Sequence, residues 1–135
     1  MTMFERSGGF STLFQRRIAM EALTIAAKAC GVPVAELAAA NRRRAQVAFA
    51  RQMAMYLCHV VGKMSLRDIS IEFERDRTTV GHACHAIEDR RDCPIFDKQV
   101  EFLENEMKSE IALLIEQATA HPTAFFERKS CSLTG

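Results

Sequence analysis

The sequence is short of several things, and each shortage removes a class of function. No run approaches the roughly 18 unbroken apolar residues of a membrane-spanning helix, although 48% of the chain is hydrophobic. The opening stretch, MTMFERSGGF, has no apolar segment of the kind a secretory signal requires. There is no CxxC pair, since the five cysteines stand at positions 30, 58, 84, 93 and 131. An odd, scattered set fits reduced thiols in a cytoplasmic protein better than a disulfide framework. No GxxxxGK[ST] loop occurs, so nothing supports nucleotide hydrolysis. Alternation at every second residue, the mark of a half-buried strand, is almost absent, and there is no internal repeat. Net charge is small as well, +1, and by itself selects no partner.

What is present is helical periodicity on a chain of 135 residues, enough for one domain with its own core. Apolar residues recur at three and four, which predicts an all-α bundle of about six helices. The first spans about 13–30, with Ile18, Ala22, Ile25, Ala26 and Ala29 on one face; Gly31 closes it and Pro33 cannot continue it. A short helix follows at 34–40. The third, about 45–61, buries Val47, Met53, Ala54, Leu57 and Val61 and stops at Gly62. Ser65 and Asp68 have the spacing of a capping box at the start of a fourth helix, 66–73. A three-residue turn leads to a fifth, 77–91, with Asp76 as N-cap and Val80, Ala83, Cys84 and Ile87 on one face. The sixth is long, about 95–120. Segments 1–12 and 121–135 read as flexible, which leaves 13–120 as the domain.

Charge is unevenly spread along this pattern. Residues 1–93 hold 14 Lys/Arg against 10 Asp/Glu, and residues 94–135 hold 4 against 7. The basic part is the candidate for contact with a polyanion, with a mildly basic solvated surface as the plain alternative. Two short helices joined by a tight turn, the second opening Arg-Thr-Thr, match the plan of a helix-turn-helix. Leu66, Ile69 and Phe73 brace the second helix. At about 100° per residue Val80, Cys84 and Ile87 point inward, while Thr78, Gly81, His82 and His85 point outward with Arg77 at the entrance. Amides at a helix N-terminus bind phosphate, and an arginine there can fork onto guanine O6 and N7. Gly81 costs a helix about 1 kcal/mol relative to Ala, which close approach of another surface would explain. The loop NRRR places Arg42, Arg43 and Arg44 where a mobile arm can enter a minor groove. Arg51 and Gln52, just inside the third helix, are candidates for phosphate contacts.

A metal or nucleophile reading of His82, Cys84 and His85 fails on helical phase. Zinc needs three or four converging ligands at about 2.0–2.3 Å, and here the thiol points to the core while both imidazoles point away. No metal and no catalytic residue is expected. The last helix has two readings: its near-heptad stripe of Val100, Leu103, Met107, Ile111, Leu114 and Ala118 packs back on the bundle, or it serves a homodimer. The second would suit a DNA reader, because two-fold symmetry doubles the site.

The stretch RRRAQVAFARQMAMYLCHVVGKMSLRDISIEFERDRTTVGHACHAIEDRRD closely resembles the C-terminal DNA-binding domain, domain IV, of the bacterial replication initiator DnaA. The order and spacing of the basic loop, ARQMAMYL, SLRDISIEF and RDRTTVGHACHAIE carry the match, which extends over about 18–108. The resemblance implies an all-α fold with a helix-turn-helix and a basic loop. It implies a minor-groove role for Arg43, backbone contacts by Arg51 and Gln52, and reading by Asp76, Arg77, Thr78 and Thr79. It does not reach the AAA+ ATPase of the initiator, so origin melting is not expected of this chain.

Four departures stand out. The turn ERD is one residue shorter than the usual GGRD, Arg77 replaces a base-reading histidine, and Phe49 stands where an arginine is common. His59 also lies where a lysine is frequent. Together they predict a site other than the initiator's own box.

The expected function is therefore sequence-specific binding of double-stranded DNA, without catalysis or cofactor, in regulation of transcription or of replication initiation. Arg77, Thr78, Thr79 and His82 read bases or phosphates beside Arg75 and Asp76; Arg42, Arg43 and Arg44 form the arm; Arg51, Gln52 and Arg67 hold phosphates. The setting is a bacterial cytoplasm, on the nucleoid, with a replication or transcription protein as a further partner. A protein-interaction module on the same fold, docking through the acidic last helix, is the main rival. A metal or redox switch is the other.

Overall fold

The computed structural model describes residues 12–38 and 45–119. They form α1 (Thr12–Cys30), α2 (Val34–Ala38), α3 (Ala45–Val60), α4 (Leu66–Phe73), α5 (Arg77–Arg90) and α6 (Pro94–Thr119), with no strand among them. The expected flexible segments lie outside the described residues, except that Thr12 already belongs to α1. Arg42, Arg43 and Arg44 also lie outside the described residues. Helix α6 starts one residue earlier than its apolar pattern suggests. Pro94 is its first residue, where a missing N–H costs nothing and a fixed φ is already helical.

Helix α3 is the axis of the bundle. Val47, Ala50, Met53, Ala54, Met55, Tyr56, Leu57 and Cys58 are all at most 2% exposed, so the helix is covered on nearly every side. Helix α1 lies along one flank of it and α5 along another. Alanines bring α1 and α3 close: Ala19, Ala22 and Ala26 on the first, Ala50 and Ala54 on the second, are buried. Gly62, just past α3, is part of this close approach. A Cβ there would lie 2.6 Å from the carbonyl oxygen of Cys58 and 2.8 Å from Cγ2 of Ile18. The first neighbour is backbone and cannot swing aside. Gly62→Ala is expected to destabilise the domain by about 1–3 kcal/mol through overpacking, read as a lower midpoint in urea with an unchanged slope.

Helix α6 returns over the bundle. Val100, Leu103, Met107, Ile111 and Leu114 are buried against α1 and, more narrowly, α3. The near-heptad stripe is thus used within the chain.

The α5–α6 joint is locked by two adjacent arginines. Arg91 donates from Nε to Asp97 Oδ1 at 2.6 Å, and from Nη1 to Glu104 Oε2 at 2.7 Å and to the Tyr56 hydroxyl at 2.9 Å. Arg90 lies 4.7 Å from the ring centres of both Phe49 and Phe96, whose rings are 6.0 Å apart. Phe49 therefore has a packing role: it is half of the aromatic seat for Arg90.

Candidate nucleic-acid interface

Helices α4 and α5 meet as a helix-turn-helix. Ser65 Oγ accepts from the Asp68 N–H at 3.0 Å and caps α4. The reciprocal half of a capping box is not made. The Asp68 carboxylate instead accepts from Gln15 Nε2 at 3.0 Å, and Arg16 of α1 sits 3.5 Å from Glu72. Two polar links thus pin α4 to α1. Ile69 of α4 and Val80, Ala83 and Ile87 of α5 are buried, with Leu66, Phe73 and Cys84 half-buried at the seam.

The short turn works because Glu74 adopts the left-handed conformation, φ 55° and ψ 51°. The Arg75 N–H then reaches Ser70 O at 3.0 Å and the Glu74 N–H reaches Ile71 O at 3.3 Å. This is the paired bonding of a Schellman ending, and it satisfies two otherwise open carbonyls. Glycine usually occupies that conformation; glutamate there costs about 1–2 kcal/mol. The Arg75 guanidinium contributes further, donating from Nη1 to Phe73 O at 3.0 Å and Glu74 O at 3.2 Å. Arg75 is half-buried and belongs to the turn.

Asp76 is the N-cap of α5, as its position suggests, but its carboxylate makes no capping bond. The first amides of α5 are therefore not masked by the cap side chain, which is the arrangement an anion needs. Around this end Asp76, Arg77, Thr78, Thr79, His82 and His85 are exposed, Gly81 is half-exposed, and Arg67 is exposed on α4. The outward face inferred from helical phase is the face the structure leaves open.

One expected contact is turned inward. Arg51 is only 7% exposed and donates from Nε to Leu37 O at 3.1 Å. It ties α3 to α2 from the interior, so its guanidinium is not on the phosphate-facing surface. Gln52 is half-buried. What sequence reasoning missed is the brace of Gln15 and Arg16. Their partners are more than fifty residues away, and no local signal marks such a pair.

Burial governs the Cys58 and Cys84 thiols. Burial, with a smaller effect from Glu88, pushes the Cys84 thiol up to about 11, and burial raises Cys58 still further, with smaller contributions from Cys84 and Glu72. A thiol held protonated is neither nucleophile nor ready ligand. Among the described residues, no three His, Cys, Asp or Glu side chains come together as a metal site, and no helix is long and apolar enough to cross a membrane.

The family model of the bacterial dnaA protein helix-turn-helix matches residues 14–87, more than half of the chain. The chain belongs to this DnaA family. Solved relatives agree with it. A crystal structure of a DNA replication initiation factor is 32% identical with a TM-score of 0.66, over 73% of this chain and 30% of that one. Replication initiator DnaA bound to AMPPCP and single-stranded DNA gives 32%, 0.64, 72% and 30%. AMPPCP-bound DnaA from Aquifex aeolicus gives 31%, 0.63, 72% and 29%. This DnaA-like chain thus spans about 30% of the length of those relatives. The family match ends at Ile87, just before the Arg90–Arg91 lock and α6.

Proposed function

We propose that this DnaA-like domain binds double-stranded DNA in a sequence-dependent way, and that it regulates transcription or replication initiation by occupying its sites without catalysis. The observation that carries this reading is the open N-terminal end of α5. It leaves Arg77, Thr78, Thr79 and His82 exposed, Thr78 and His82 on the side opposite the buried Val80, Ala83 and Ile87. Arg67 and Gln52 supply phosphate contacts beside it, and Arg42, Arg43 and Arg44 supply a minor-groove arm. Arg51 and Arg75 act through the fold, holding α3 and the turn in place. The bacterial cytoplasm, on the nucleoid, is the corresponding setting.

The test is retardation of labelled duplex as salt is varied. Binding should strengthen steeply as salt falls, because neutralised phosphates release counterions. No binding at about 50 mM salt, where that attraction is strong, would sink the proposal and favour a protein partner. Genome-wide mapping of bound DNA in the native host would then give the motif and show whether it overlaps a replication origin.

Gly81 gives a sharper check. A Cβ there would meet only Leu66 Cδ1, at 3.7 Å, an ordinary contact. Nothing among the described residues requires glycine there, yet it costs α5 about 1 kcal/mol. Gly81→Ala is expected to raise the unfolding midpoint and at the same time to weaken duplex binding, because the added methyl stands on the reading face. Unchanged affinity would mean that no surface approaches closely there.

A further inference from the structure

Helix α4 is the least anchored part of the helix-turn-helix. It places one fully buried side chain in the core, Ile69, whereas α5 places Val80, Ala83 and Ile87 there. Arg67, exposed and proposed as a phosphate contact, therefore stands on an eight-residue helix with little apolar purchase. What α4 has instead is its pair of polar links to α1. Gln15 is 7% exposed, and its amide donates to Asp68 at 3.0 Å. Glu72, whose side chain is 8% exposed, faces Arg16 at 3.5 Å. Asp68 and Glu72 share one face of α4, about 6 Å apart along it. Two such points fix the direction of a short helix, while one leaves a pivot. A play of about 1 Å at a released end is a tilt of about 10° over that span. That reaches the edge of what a binding constellation tolerates, about 10–20°.

We propose that Gln15 is a positioning residue for DNA binding. Its bond to Asp68, with the Arg16–Glu72 pair as the second point, holds α4 so that Arg67 meets a phosphate while α5 lies in the groove. This role rests on the duplex-binding reading. Gln15 is buried and carries no charge, so it neutralises no phosphate itself. Any effect it has on the electrostatic part of binding passes through a charged neighbour. Arg67, the one cation of α4, is next to Asp68 in the chain. Arg16 is a poorer probe, because it is exposed and its own charge acts on DNA directly. The sign of the Asp68 effect separates two roles. As a bare carboxylate beside a phosphate-binding surface it repels DNA, and its removal strengthens binding. As the acceptor that fixes α4, its removal weakens binding.

The test is duplex retardation by the full chain over a series of salt concentrations, at a temperature where far-ultraviolet circular dichroism shows every variant folded. Gln15→Leu should bind about tenfold more weakly, the scale of one hydrogen bond to a charged group. It should also lower the salt slope by about one counterion, as Arg67→Ala does. The two substitutions together should lose little more than either alone, because they remove the same contact. Asp68→Ala should weaken binding as well. Asp68→Asn loses the same charge but keeps an oxygen that accepts from Gln15, and it should bind about tenfold more tightly than Asp68→Ala. Three results would each overturn the positioning role while the wild type still binds: an unchanged salt slope for Gln15→Leu, full additivity with Arg67→Ala, or tighter binding by Asp68→Ala than by the wild type. A wild type that binds no duplex would overturn the DNA reading and this role with it.

Discussion

Arg91→Ala is expected to cost the domain about 2 kcal/mol, the loss of a partly buried charge cluster opened from one side. The arginine side chain is 20% exposed and its partner Glu104 14%, so water can replace little of what the guanidinium supplies. With the cation gone, Glu104 keeps its charge in a poorly hydrated place, Asp97 loses a 2.6 Å partner, and the buried Tyr56 hydroxyl loses its donor. Each leftover group adds to the cost, because an unmade buried hydrogen bond carries its full desolvation penalty. Arg91→Lys should fall between, since a single ammonium cannot serve three acceptors in the geometry of a planar fork. Urea denaturation reads both variants. A loss below about 1 kcal/mol for alanine, the range of exposed ion pairs, would mean that the cluster is a surface pair after all.

Arg77→Ala should remove discrimination at one or two base pairs, each worth about 1–3 kcal/mol. Arg77 is the first residue of α5 and is exposed, so its loss leaves the packing of Val80, Ala83 and Ile87 intact. A panel of duplexes with single substitutions should show the affinity for the preferred site falling toward that for the others. Arg43→Ala should act differently. It should weaken binding to every sequence and flatten the salt dependence by about one counterion. If both variants lost affinity equally on all duplexes, the division between a reading helix and a positioning arm would be wrong.

Much of this architecture is legible in the sequence because helices advertise themselves locally. The inward set on α5, the Ser65 cap and the break at Gly31 each depend on residues within one or two turns, and each is where periodicity and capping chemistry place it. The short ERD turn was equally visible, but not how it closes. Glutamate in a left-handed conformation is unusual, and only the bonds of Glu74 and Arg75 to α4 show why it is tolerated.

The sequence alone determined the number of helices, their order and the open face of α5, because a 3.6-residue period decides which side of each helix is apolar. It could not decide which charged residues go inside. Arg51 looks like a phosphate contact and is buried on Leu37, 14 residues away; Arg91 looks like the exposed end of the fifth helix and reaches Tyr56, 35 away. Asp68 looks like half of a capping box and is taken by Gln15, 53 away. Those choices belong to the tertiary structure: a buried polar group must find a partner, and which partner is in reach depends on how separate helices pack.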